Sequence, residues 1–430
     1  MKLGFLRTAQ IALVAALGTG VGNTAAAEWT KTYVIDWYEP AMYYGAKSGV
    51  IDPGTDCPNG SNPEIDWVKV LIKAGYTEAE AKWLRNPENP SRSPVHGQNQ
   101  MAFRGRNREN VYIYPETYPD PGLVGVTGDL TEGFNLDDNV KTGYPSPTGD
   151  KGVDNNFYRA VGCTKSYRGP PRLSAGGLAT NDSMRNGGWT VVVVVHGAGK
   201  DPMNDSKVDI GFYMSNDKLI KDGNGEIAHD YTFRIKPTKL EGIIKAASSN
   251  GVITSKDATP EIWIRDPGAV RDLQLLLARV KLQMKPDGTL EGYLGGYRPW
   301  APIYDALIKA RGPVAEALGW IELPSIYYAL KRNADYSPTG PKGEKTHISY
   351  AMRVSAVPAY VIAPDASELV AAVTSYKSGA NPADEEPTKG LFGAIDGLVP
   401  DRDKKVAFGQ ALIVYPVPGS VAANASTTDK

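Results

Sequence analysis

The 430-residue chain balances 47 Lys and Arg against 48 Asp and Glu. That balance excludes the basic footprint of a nucleic-acid binder or of a polybasic membrane-surface protein. With 46 Gly, 32 Pro, 23 Tyr and a hydrophobic share of 41%, the composition describes a globular protein rich in turns and long connections, not a helical bundle or a disordered chain.

Lys2 and Arg7 precede an apolar core from Ile11 to Leu17, and small residues lead to Ala25-Ala26-Ala27 before Glu28. This is the order of a cleaved secretory signal, so residues 1–27 are expected to be removed and the remainder to be a soluble periplasmic or secreted protein. The apolar core is far shorter than the roughly 20 residues a bilayer span needs, and no later stretch is long and uncharged enough, so no membrane span is expected. No cysteine flanks the cleavage point, which argues against a lipid anchor. Only Cys57 and Cys163 occur. In an oxidising compartment such a pair closes, so a structural disulfide is expected.

Residues 28–125 read as a mixed α/β and irregular segment. Tyr33 to Trp37 is β-prone, and a loop rich in Pro, Gly, Asp and Asn follows around Pro53 to Pro63. Ile65 to Ala74 places Val68, Leu71 and Ile72 at helical spacing, and Thr77-Glu78-Ala79-Glu80 is a capping box opening a second helix that Pro87 stops. A polar, proline-rich excursion from Asn86 to Gly105 and a short strand at Val111 to Tyr114 complete the segment.

Residues 126–420 read as a β-rich main domain. Trp189 to Val195 is a continuous apolar strand, buried on both faces. Val208 to Ile220 and Ile227 to Ile235 flank Asp222-Gly223-Asn224-Gly225, a hairpin signal. Ala278, Val280, Leu282 and Met284 alternate with polar residues and turn at Pro286-Asp287-Gly288 into Thr289 to Leu294, a second hairpin. A helical insertion near 302–333 is expected from Ile303 to Ala310, Val314 to Leu318 and Ser325 to Lys331. Strands return at Ile348 to Val354, Tyr360 to Ile362 and Ala411 to Val414, around a flexible loop from Ser378 to Lys389. Residues 421–430 read as a disordered tail. The fold class expected is mainly β, an antiparallel β-sandwich-like core with short helical insertions.

No complete catalytic signature is present. Val195-His196-Gly197-Ala198-Gly199 after an apolar strand is the kind of His-Gly loop that supplies oxyanion amides in esterases, yet no Gly-x-Ser-x-Gly nucleophile elbow accompanies it. His96, His196, His229 and His347 fall in no zinc-binding spacing, and two cysteines without Cys-x-x-Cys-His exclude covalent haem. Asn135, Asp137, Asn139, Asp150, Asp154 and Asn155 place side-chain oxygens on glycine-containing backbone, as a calcium site requires, although Asx-turn chemistry uses the same residues. Asp222, Asn224 and Glu226 repeat that spacing within the hairpin. Tyr43, Tyr44, Tyr293, Tyr297 and Trp300 offer surface for a carbohydrate or apolar small molecule, with core packing as the alternative.

Gly152-Val153-Asp154-Asn155-Asn156-Phe157-Tyr158-Arg159 ending at Gly162-Cys163, with Asp56-Cys57-Pro58-Asn59-Gly60 and Ile348-Ser349-Tyr350-Ala351 leading to Ala356-Val357-Pro358-Ala359, resembles a group of uncharacterised signal-peptide-bearing proteins of proteobacteria. The resemblance implies an exported bacterial protein. It supports pairing the two cysteines and supplies no activity. Three functional expectations follow: a ligand-binding or structural β-rich module, an exported esterase-like hydrolase using the His196 loop, or an accessory of an exported electron-transfer or polymer-degrading system.

Overall fold

A computed structural model describes residues 28–43, 57, 66–73, 75–85, 114–164, 166–236, 242–264, 273–309 and 323–364. Its strands are β1 (Trp29–Pro40), β2 (Thr190–Gly197), β3 (Val208–Ser215), β4 (Tyr231–Arg234), β5 (Ile244–Ser249), β6 (Val252–Ser255), β7 (Thr259–Ile264), β8 (Leu273–Met284), β9 (Leu290–Pro299) and β10 (His347–Ile362). Its helices are α1 (Trp67–Lys73), α2 (Glu78–Arg85), α3 (Asn156–Val161), α4 (Ala175–Arg185), α5 (Trp300–Lys309) and α6 (Leu323–Asn333). The expected signal segment, the strand at Ala411 to Val414, the helix at Val314 to Leu318 and the tail lie outside the described residues.

The strands run in the order β1-β2-β3-β5-β6-β8-β9-β10, and β10 then pairs with β1, so eight antiparallel strands close on themselves. This corrects the expected β-sandwich to a β-barrel. Sandwich and barrel strands share the same alternation of apolar and polar residues. What separates the two is whether distant edges meet, and here Tyr33 meets Pro358. β10, at 16 residues, is long enough to pair with β9 along one edge and β1 along the other. The strands β4 and β7 stand outside the ring, β4 parallel to β10 and β7 antiparallel to β8.

The inward face is filled. Around the ring, register brings together Tyr33, Val193 and Phe212 on one side and Ile253 and Leu282 on the other, all buried. On β10, Ile348, Tyr350, Met352, Val354 and Ala356 alternate inward. Eight strands leave an interior just wide enough for such side chains, each stabilising the fold by about 1.5–3 kcal/mol on burial. Bulges in β1 between Ile35 and Trp37 and in β8 between Leu276 and Arg279 help bend the wall. At Gly292, with φ +152°, any Cβ would lie 2.1 Å from the Lys281 carbonyl oxygen, so only glycine lets β8 and β9 approach there.

Elements outside the ring pack against it near both ends. At one end Phe157 of α3 packs edge-on against Tyr350 and Tyr167, at 5.2 and 5.4 Å between ring centroids. Trp300 and Tyr304 of α5 meet Tyr327 of α6 beside them. At the other end, the loop after β2 is tied down by Asp205 and Ser248, which exchange backbone hydrogen bonds. Where β1 runs past its last β2 partner, Asn181 of α4 takes the place of a strand. Its side chain accepts from the Tyr38 amide at 2.9 Å and donates to the Tyr38 carbonyl at 2.7 Å.

Cys57 and Cys163 are joined, as expected, which pins the Cys57 segment to the residues just after α3. The hairpin at Pro286-Asp287-Gly288 forms between β8 and β9. The one expected at Asn224-Gly225 does not form as a ladder. Its turn is present, with Asp222 and Glu226 bonded through their backbones, and its arms meet in isolated antiparallel bridges at Lys221–Ile227 and Ser215–Ile235, while β4 itself pairs with β10.

Candidate functional site on the outer wall of the barrel

On the outward face of β9 and β10, register pairs Tyr293 with Arg353, Gly295 with Ala351, Tyr297 with Ser349 and Pro299 with His347. The small middle pair makes a saddle. A Cβ on Gly295 would lie 2.6 Å from Phe134 Cδ2, so the absence of a side chain there lets the loop carrying Phe134 dock on the wall. That loop is closed on itself by the Asp154 amide donating to the Phe134 carbonyl at 2.7 Å. Polar groups gather on both sides of the saddle.

On one side, Arg353 donates to the Met42 carbonyl at 2.9 Å and pairs with Glu132 at 2.6 Å and Glu39 at 3.5 Å. Glu39, its side chain only 4% exposed, also accepts the Arg172 amide, and Tyr293 donates its hydroxyl to Glu132. Burial, reinforced by the Glu132 carboxylate, pushes the Tyr293 phenol up to about 12. Every charge in this network has a partner, which marks it as a clamp joining β1, β10 and the docked loop.

The other side is unbalanced. Asp154 accepts the Leu136 amide at 2.8 Å through Oδ2, while its Oδ1 has no hydrogen-bond partner among the described residues. Burial, opposed by those amides and reinforced by the Asp137 and Asp335 charges, raises the Asp154 carboxyl to about 6. Asp335 accepts the Ser349 amide at 2.7 Å, and burial holds its carboxyl above the usual range. The Tyr297 ring stacks on Tyr336 at 4.2 Å, and the phenol is shifted upward by burial and by the Asp154, Asp335 and Asp137 carboxylates. Tyr297 is only 4% exposed, and its hydroxyl is not among the buried polar atoms left without a hydrogen-bond partner. His347, its basicity lowered by burial, sits edge-to-face with Tyr336.

The six expected calcium ligands are divided among other tasks. Asn135 and Asp137 each accept the Asn139 amide, Asp137 also takes the Thr142 hydroxyl, and Asn139 accepts the Lys141 amide. Asp150 turns to Ser146, Thr148 and Lys281. Asn155 caps α3 by accepting the Tyr158 amide and donates to the carbonyls of Ala41 and Glu132. Among the described residues no group of three or more His, Cys, Asp or Glu side chains is arranged to hold a metal ion. Turn and cap chemistry selects the same residues.

His196 lies at the outward end of β2. Its Nδ1 is 3.0 Å from the Thr30 hydroxyl, and its Nε2 is 3.8 Å from Glu28. The amides after it are occupied. Ala198 donates to the Lys207 carbonyl and Gly199 to Asp205, so neither is left to stabilise an oxyanion. His229 is exposed and His96 lies outside the described residues.

Sequence reasoning named Asp154 and Tyr297 separately, the first as a metal ligand and the second as an aromatic surface. It missed Asp335 and Tyr336, whose role depends on the turn after α6 returning to the barrel wall beside Ser349. No signal in the chain joins residue 154 to residue 335.

Titration should report this cluster. Because the folded Asp154 carboxyl lies near 6 and an unfolded one near 3.8, the folded state holds a proton that the unfolded chain has released. The resulting stability is complete below about pH 4 and is lost as pH rises through 6. Partial screening by water at this half-open site reduces the effect to about 1–2 kcal/mol. Asp154→Asn keeps an oxygen for the Leu136 amide, so thermal melts from pH 4 to 7.5 should show the variant gaining on the parent by that amount as pH rises.

Among the described residues no helix is long and apolar enough to cross a membrane. No protein-family model, curated protein or solved structure matches the chain.

Proposed function

We propose that the chain is an exported ligand-binding module that takes its ligand on the outer wall of the barrel, between Asp154, Tyr297, Asp335 and Tyr336. The carrying observation is Tyr297, whose ring stacks on Tyr336 and whose phenol lies in the field of the Asp154 and Asp335 carboxylates. The filled interior directs attention to the wall, because apolar side chains occupy the space that ligand-holding barrels keep open. Export is supported by the signal-like residues 1–27, by the resemblance to exported proteobacterial proteins and by the disulfide.

The test is a thermal-shift ligand screen on residues 28–430, run in parallel on Tyr297→Phe. A ligand at 100 times its Kd adds about 2.7 kcal/mol of apparent stability. Ligands that raise the melting temperature of the parent and not of Tyr297→Phe are the expected result. If every ligand found stabilises both proteins equally, binding occurs elsewhere and the outer-wall reading is wrong.

A further inference from the structure

We infer that cleavage of the signal completes a copper(II) site where β1 begins, formed by the new α-amine and the γ-carboxylate of Glu28 and by Nε2 of His196; this rests on the export part of the reading above and is independent of the outer-wall site. The ladder builds it. Thr30 stands directly opposite His196 between β1 and β2, and Glu28, two residues earlier, comes to the same face of the sheet. The Thr30 hydroxyl lies 3.0 Å from Nδ1, and the Glu28 carboxylate lies 3.8 Å from Nε2. With the ring proton on Nδ1 directed to Thr30, the Nε2 lone pair faces Glu28, which is how an outer hydrogen bond orients a metal-binding imidazole. The His196 side chain is 18% exposed and that of Glu28 53%, so an ion can reach both from solvent.

Side chains alone lack a third donor. Among the described residues no three His, Cys, Asp or Glu side chains gather to hold an ion. Cleavage between Ala27 and Glu28 exposes an amine on the very residue that already faces His196. One ion then takes the amine and carboxylate of Glu28 in a single chelate ring and the imidazole from the neighbouring strand, and the proton of the ammonium leaves to solvent. Two nitrogens and one oxygen, with water in the remaining positions, suit copper(II), which binds such donors most tightly in the divalent series. Calcium would require six to eight oxygens. Competing donors are committed elsewhere. Both cysteines lie in the disulfide, and His347 is buried with Nδ1 against the Thr346 hydroxyl. Asp209, opposite His196 on β3, holds the Lys245 ammonium at 2.5 Å and neutralises it.

The protein is purified from the exported fraction, its first residue is fixed by intact mass, and copper(II) chloride is titrated into it at pH 7.5 with electron paramagnetic resonance as the readout. One tight copper per chain is expected, with hyperfine coupling to two nitrogens. His196→Gln should lose one coupling and bind about tenfold or more weakly, and Thr30→Val, which frees the ring but keeps every ligand, should weaken binding by about tenfold. A chain that begins at Ala26 keeps every side chain but moves the amine two residues away, so it should lose the site as well. His229→Gln, at an exposed histidine elsewhere, should bind as the parent does. Circular dichroism melts establish that each variant folds. Equal binding by the parent and His196→Gln, or by the parent and the Ala26 chain, overturns the inference, as does the absence of a tight copper. An exported protein that begins at another residue overturns it too and removes the cleavage on which it rests, while the Tyr297→Phe screen decides the outer-wall reading separately.

Discussion

Arg353→Met should destabilise the protein by about 3–5 kcal/mol, the range found when one partner of a buried ion pair is removed and the other is left uncompensated. Glu39 and Glu132 would both be stranded, Glu39 with only the Arg172 amide and Glu132 with only the Tyr293 hydroxyl. Against a typical total of about 5–15 kcal/mol, such a loss brings the fold close to its limit. Urea denaturation of the variant measures it. The triple variant with Glu39→Gln and Glu132→Gln should recover much of the loss, because the penalty comes from unpaired charge more than from lost attraction. A single variant within about 1 kcal/mol of the parent would mean that water already reaches the clamp.

Removing the disulfide should have an effect of similar size. Cys57 and Cys163 stand 106 residues apart, and opening a loop of that length costs up to about 4.7 kcal/mol in the chain-entropy model. Melting the Cys57→Ser, Cys163→Ser protein beside the oxidised parent measures the difference. The site on β9 and β10 should keep its geometry in this variant, since its contacts run through Ser349, Leu136 and Tyr336 and none passes through the cystine.

Local features were legible in the chain and long-range closure was not. The apolar run in β2, the β8–β9 hairpin and the helices near 67–73, 78–85, 300–309 and 323–333 each follow from residues within one element or one turn. Helix α4 was missed because Gly176 and Gly177 weaken its helical signature; Ser174 caps it and Asn181 anchors it. Strands β5 to β7 are short and mixed in character, which hides their alternation. The candidate site was half legible. Asp154 stood out as a carboxylate among glycines, but its neighbours Tyr297 and Asp335 arrive from strands and turns that only the closed barrel brings together.

Joining the first and last described strands also ties folding to the order in which the chain is made. Tyr33 has no partner on its β10 side until Pro358 has been synthesised, so β1 and β9 must each wait with a bare edge. Such edges template pairing with other chains, and contacts this distant in sequence slow folding. A chain cut before His347 would keep two open edges and would not form a smaller stable barrel. The cystine has no such dependence, because both of its sulfurs belong to the earlier part of the chain. It can clasp that part covalently and hold it in place while the closing strand is still to come.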